Sequence, residues 1–302
     1  MEKVHYGGWP NCYRLANDTV ELIVTTDIGP RIIRFGFVGG QNELKEYPET
    51  LGQVGGDTWH LYGGHRLWHA PEHMPRSYSP DNTPITIEQH DGFIRLIQPP
   101  EASTGIQKEI DIRLDPTAAQ VELTHRLRNT GLWAVELAPW ALSVMAQGGT
   151  AILPLPPFKP HTEEVRPAAT LSLWNYTDLS DARWTVGSRF LLLRQDPARQ
   201  EPQKIGVHAP DAWIAYARNR HLFVKSFDYT PGGRYPDMGC TIESFTDDGM
   251  LEIETLAALR VLETGAEAEH RERWSLFDGV VAPKNDADVA RDIVPLVVQA
   301  RV

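Results

Sequence analysis

The sequence predicts an all-β protein, one large antiparallel β-sandwich with little helix. Three observations carry this. Apolar and polar residues alternate with period two over many short segments. Gly-, Pro- and Asp-rich turn signals separate those segments at regular spacing. Only the C-terminal stretch 286–302 reads as helical, and Pro295 interrupts it. No repeat, low-complexity tract or linker divides the chain, so residues 1–302 read as a single sandwich domain.

In chain order, 19–25 (TVELIVT) and 31–37 (RIIRFGF) are rich in β-branched and aromatic residues, with the turn Asp27-Ile28-Gly29-Pro30 between them. Residues 85–89 and 93–98 flank His90-Asp91-Gly92, a hairpin signal. In 106–114 the residues Ile106, Lys108, Ile110, Ile112 and Leu114 share one face; in 120–129 Val121, Leu123, His125 and Leu127 do the same. One-sided strands of this kind belong to antiparallel sheets. The 133–145 stretch is longer and apolar, and the proline-dense 153–160 reads as loop. Further strands are expected at 190–194, 204–208, 213–217, 221–229, 240–246, 251–259 and 267–276, with Asp247-Asp248-Gly249 as a second hairpin turn.

A net charge of -11 opposes nucleic acid or an anionic membrane as the main partner. No apolar run is long enough to span a bilayer, and Met1–Gly8 lacks the apolar segment of a secretory signal. Cys12 and Cys240 lie far apart and form no spaced metal motif, which fits reduced thiols in the cytoplasm. The expected partner is therefore a small molecule, and the sequence leaves the oligomeric state open.

The stretch from Tyr62 to Glu72 (YGGHRLWHAPE) concentrates polar chemistry. A buried strand is not expected to carry His65, Arg66, His69 and Glu72 so close together, because each desolvated polar group needs a partner. The stretch reads instead as the rim or floor of a polar pocket, with Gly63-Gly64 allowing close backbone approach to a ligand and 73–83 as a loop above it. His65 and His69 are candidate acids. Arg66 fits sugar hydroxyls, a carboxylate or a phosphate, against the plainer alternative of an ion pair with Glu72. Two histidines four apart share a face only on a helix, which Gly63-Gly64 and Pro71 oppose, so neither metal nor cofactor is expected.

Elsewhere, Glu243 sits on an alternating strand beside aromatic residues, where partial burial raises a carboxylate into general-base range. The plain alternative is a solvent-facing glutamate. Glu254 is a weaker candidate, and Glu252 reads as exposed. Lys225, between Phe223 and Phe227, must snorkel or be paired, and Asp237 follows close enough to line the same cavity. Trp68 and Trp140 offer stacking faces or core packing. His125, on an apolar face, reads as a satisfied core histidine.

Three places in the chain resemble the galactose mutarotase-like superfamily of aldose 1-epimerases and hexose-phosphate mutarotases. These are Ile28-Gly29-Pro30-Arg31-Ile32-Ile33 followed by Gly39-Gly40-Gln41-Asn42; Gly63-Gly64 with Leu67-Trp68-His69-Ala70-Pro71; and Asp237-Met238-Gly239-Cys240-Thr241-Ile242-Glu243. The resemblance implies a β-supersandwich and a sugar ligand, with a glutamate, here Glu243, taking the anomeric hydroxyl proton and a histidine protonating the ring oxygen. One departure matters. Where the family offers a histidine-bearing segment, this chain has Ala138-Pro139-Trp140-Ala141-Leu142. The expected activity is aldose 1-epimerase-like, with Glu243 as base, His65 or His69 as acid, and Arg66, Trp68, Glu72, Trp140, Lys225 and Asp237 around the substrate. The alternatives are a non-catalytic sugar-binding or sensing protein and a carbohydrate lyase or hydrolase on the same fold.

Overall fold

The computed structural model describes residues 1–301. Two antiparallel sheets, one 11-stranded and one 10-stranded, form the sandwich. Along the first, hydrogen-bonded neighbours run Glu2–Tyr6, Trp9–Ala16, Val20–Thr25, Arg31–Phe37, His65–Ala70, Val135–Met145, Leu251–Leu256, Ile242–Thr246, Gln203–Val207 and Leu171–Leu173, with Arg260–Leu262 pairing beside Val135–Met145. The second runs Trp184–Val186, Phe190–Arg194, Thr150–Pro154, Trp213–Arg218, His221–Phe227, Glu267–Phe277, Gln120–Asn129, Ile106–Leu114, Phe93–Ile97 and Thr86–His90. Val24, Phe35 and Ile253 of the first sheet meet Ile110, Leu123, Phe223 and Trp274 of the second in one buried core. Each such side chain taken fully out of water contributes about 1.5–3 kcal/mol.

Both hairpin turns form as expected. His90 pairs with Phe93 around Asp91-Gly92, and Thr246 pairs with Leu251 around Asp247-Asp248-Gly249. At the C-terminus, Asp286–Asp288, the wider-wound Val289–Ile293 and Val294–Gln299 run on as one helical segment. Pro295 does not break it: it falls in the first turn of the last piece, directly after the wider-wound turn. Val289, Ile293 and Val297 bury the outer face of the second sheet against Ile152, Trp213 and Val224. Val302, the last residue of the helical expectation, lies outside the described residues. No helix among the described residues is long and apolar enough to cross a membrane.

The strand His65–Ala70 departs from expectation. It is a buried central strand, paired with Arg31–Phe37 on one side and Val135–Met145 on the other. Gly63 and Gly64 serve close backbone packing, Gly63 against the Lys45–Glu46 segment and Gly64 against Arg31–Phe37. At φ +77° and +70°, a Cβ on them would come within 2.1 Å of the Lys45 carbonyl oxygen and 2.3 Å of the Ile32 carbonyl oxygen. Thr150–Pro154 is likewise a strand where the prolines pointed to a loop from Leu153 onward. Pro154 is its last residue, where the ladder ends.

Candidate functional site

Successive residues of a strand point to opposite faces, so the polar run in His65–Ala70 is divided between two environments. His65, Leu67 and His69 point into the space between the sheets. Arg66 and Trp68 point out, onto the free face of the first sheet. Pairing across that sheet continues both rows. Arg66 aligns with Leu142, Glu254, Glu243 and Gly206, and Trp68 with Trp140 and Leu256. A neighbouring row carries Val144, Glu252, Phe245 and Lys204.

On this face lies a cleft of about 240 Å³ lined by Trp59, Arg66, Trp68, Glu72, Tyr78, Trp140, Tyr176, Lys204 and Glu252, among others. Its walls are aromatic. The rings of Trp59, Trp68, Tyr78 and Trp140 meet edge to face, with centroids 5.0–5.5 Å apart, and the Arg66 guanidinium lies 4.5 Å from the Trp68 ring centre. Arg66 Nη2 pairs with Glu252 Oε1 at 2.9 Å. At the mouth, the Tyr78 hydroxyl donates to exposed Glu72.

The floor of the cleft is Lys204. Its ammonium lies 2.9 Å from Glu243 Oε2, 3.3 Å from Glu254 Oε2 and 4.8 Å from the Trp140 ring centre. The Trp140 indole N–H donates to Glu254 at 2.8 Å. Glu243 and Glu254 are fully buried beneath Lys204, and Oε1 of each has no hydrogen-bond partner among the described residues. Burial pushes the Glu243 carboxyl well above the ordinary range and Glu254 up to about 6. Burial alone would lower Lys204, but the two carboxylates outweigh it and hold the ammonium firmly charged. Two carboxyls on one ammonium, out of water, reach neutrality by keeping one proton between them.

The structure therefore groups Arg66, Trp68, Glu72 and Trp140 in one cleft with Glu243 under its floor, and places four other candidates elsewhere. His65 is on the opposite face of the sheet from Glu243, which ends the proposed pairing of the two. Its Nε2 meets His125 Nε2 at 2.8 Å and its Nδ1 meets Ser143 Oγ at 2.9 Å. His69 faces the same interior, 3.4 Å from Glu101, which also takes Lys108 at 2.5 Å. Lys225 is not a ligand-orienting group at this cleft. It lies in the core, 2.8 Å from Glu272, donating to the Ala141 carbonyl at 3.2 Å. Asp237 does not line the cleft either. It is a turn residue at φ +49°, and its carbonyl accepts from Ser172 at 2.7 Å. Glu252, read as exposed, is buried and paired with Arg66.

His65, His125 and Glu272 bring three metal-type donor atoms within 4.8 Å of one another. Their hydrogen bonds already account for them. The His270 carbonyl accepts from His125 Nδ1 at 3.1 Å, leaving His125 Nε2 bare to accept from His65. The place beside Glu272 that a cation would take is held by the Lys225 ammonium.

Sequence reasoning missed Lys204, Tyr78, Tyr176 and Trp59. Lys204 alternates with Ile205 and Gly206 like any solvent-facing strand residue. Only the cross-strand pairing that sets Glu243 and Glu254 beside it shows its role, and that pairing is non-local.

No protein-family model matches the sequence, and no curated protein resembles it in sequence. Solved structures do match in shape. A candidate aldose 1-epimerase from Klebsiella pneumoniae superposes with a TM-score of 0.61 at 11% identity, covering 100% of this chain and 87% of that one. The Slr1438 protein of Synechocystis gives 0.59 at 11% identity, over 92% of this chain and 100% of its own. A galactose mutarotase-like protein from Lactobacillus casei gives 0.54 at 9% identity, over 88% and 100%. The chain thus has the galactose mutarotase-like fold.

Proposed function

We propose that the cleft binds a carbohydrate and that the chain is an aldose 1-epimerase-like enzyme, interconverting sugar anomers by acid/base catalysis. The observation that carries this reading is the Lys204–Glu243–Glu254 cluster at the foot of an aromatic cleft. Aromatic faces such as Trp68 and Trp140 suit the apolar faces of a sugar ring. Mutarotation needs one group to take the anomeric hydroxyl proton and one to give a proton to the ring oxygen. The sequence reading made Glu243 the base. The larger upward push on Glu243 within a pair that shares one proton supports the opposite assignment. Near neutral pH Glu243 holds the shared proton and is the acid, while Glu254, at about 6, is mostly ionised and is the base. Glu254 accepts the hydroxyl proton as Glu243 protonates the ring oxygen; the ring opens, the aldehyde rotates, and closure on the other face returns both protons. Lys204 covers the pair and must swing aside, or bridge to the sugar, for this to happen.

The non-catalytic sugar-binding reading has one observation in its favour: Glu243 and Glu254 do not themselves line the cleft. Polarimetry of freshly dissolved neutral aldoses, with and without protein, separates the two. The enzyme reading expects anomeric equilibration faster than in buffer, and slower again in Lys204→Met. Binding seen by ligand-observed NMR with equilibration no faster than buffer gives the binding reading instead.

A further inference from the structure

Both cations of the cleft are already engaged. Arg66 is bound to Glu252 at 2.9 Å and stacked on Trp68. Lys204 is bound to Glu243 at 2.9 Å and to Glu254 at 3.3 Å. Glu72, exposed at the mouth, accepts from Tyr78 and forms no ion pair among the described residues. Four carboxyls thus face two cations, and even with one proton held by the Glu243–Glu254 pair an uncompensated negative charge remains, nearest the entrance. Arg66 keeps its Nε and Nη1 hydrogens without partners, but its charge is already balanced by Glu252, so a phosphate or carboxylate on the ligand adds to an existing excess of negative charge. A ligand ammonium meets the opposite situation.

We infer that the cleft selects an aldose with no anionic group and holds an amino sugar, in its ammonium form, more tightly than the neutral parent sugar, through Glu72. This rests on the carbohydrate reading above and sets its substrate class against phosphorylated and uronic sugars. Glu72 is solvent-exposed, so its contribution is that of a surface ion pair, worth about a three- to fivefold preference at low salt and little at high salt.

The test uses the full chain and two matched series: glucose, glucosamine, glucose 6-phosphate and glucuronate, and the galactose equivalents. Dissociation constants are measured by ligand-observed NMR at a pH where the amine is protonated. In the series that binds, the amino sugar should be about three- to fivefold tighter than the parent and both anionic sugars about tenfold weaker or worse. Half-molar salt and Glu72→Gln should each narrow the amine preference. An anionic sugar binding as well as its neutral parent overturns the inference while leaving the carbohydrate reading intact. So does an amino sugar that is no tighter than the parent. If no member of either series binds, the carbohydrate reading itself falls and takes the inference with it, which is a different and recognisable result.

Discussion

Two buried polar clusters lie back to back across the first sheet, built from similar residue types and differing in completeness. Between the sheets, His65, His125, His270, Lys225 and Glu272 form a closed network. Glu272 accepts from Lys225, from the Thr255 hydroxyl and, at 2.9 Å, from the Trp274 indole. His270 Nε2 donates to Thr255 at 2.7 Å, since that hydroxyl's own proton goes to Glu272. No fully buried side-chain nitrogen or oxygen of these five lacks a partner among the described residues. On the other face, Glu243, Glu254 and Arg66 keep partnerless polar atoms in full burial. A satisfied network fixes a core; an unsatisfied one lies where a ligand, water or proton completes it. Catalytic residue types alone do not distinguish them. The hydrogen-bond accounting does.

The largest expected effect lies in the closed network. Lys225→Met removes the cation paired with Glu272 and strands a carboxylate whose pKa that lysine holds far below the ordinary range. The expected loss is about 3–5 kcal/mol of unfolding free energy, the cost of breaking a buried pair from one side. Urea denaturation measures it. A loss under 1 kcal/mol would mean that Glu272 takes up a proton easily and that the network is looser than its geometry.

Glu243→Gln probes the open cluster. It removes the shared proton and one carboxyl while keeping size, so stability should hold or rise, since two buried acids no longer compete for one lysine. Under the enzyme reading, anomer interconversion slows by about a hundredfold or more, the usual contribution of a positioned acid or base, while sugar binding persists. His65→Asn should do the reverse, costing about 1–3 kcal/mol of stability through lost buried hydrogen bonds and leaving the rate near wild type. A rate loss in His65→Asn equal to that in Glu243→Gln would break the division between the two clusters.

The sandwich was legible because its evidence is local. Alternation in 106–114 and 120–129, and Asp-Gly turns at 91–92 and 248–249, need no knowledge of partners. The cleft was legible only in pieces. Arg66, Trp68, Glu72 and Trp140 drew attention through chemical type. The argument that a strand would not carry so many polar groups failed because each had a non-local partner: Ser143 and His125 for His65, Glu101 for His69, Glu252 for Arg66. Of the two fates open to Lys225, snorkelling or pairing, the structure shows pairing, with Glu272 on the side away from the cleft. Lys204 shows the same limit in reverse, an ordinary lysine in sequence whose place is set entirely by Glu243 and Glu254.

The smallest expected effect is a pH dependence in which the two clusters oppose each other. Burial lowers His65 far below the ordinary histidine range, His125 as well, and His270 to about 3. Through the range where free histidine titrates, near 6.5, the unfolded chain takes up protons that the folded network refuses, so these residues weaken the fold as pH falls. Glu243 has the opposite sign. Its folded pKa is raised, so the folded chain keeps a proton that the unfolded chain has lost above about 4.5, and its contribution strengthens as pH falls. From pH 7.5 to 6.5 three such histidines cost about 1 kcal/mol, and the raised Glu243 carboxyl acts in the opposite direction. Wild-type stability should therefore fall less over that interval than that of Glu243→Gln, which lacks the opposing carboxyl and should lose about 1 kcal/mol. Urea unfolding of both proteins at the two pH values reads the difference directly. Parallel behaviour would show that Glu243 is ionised in the folded protein, and would return it to the role of base.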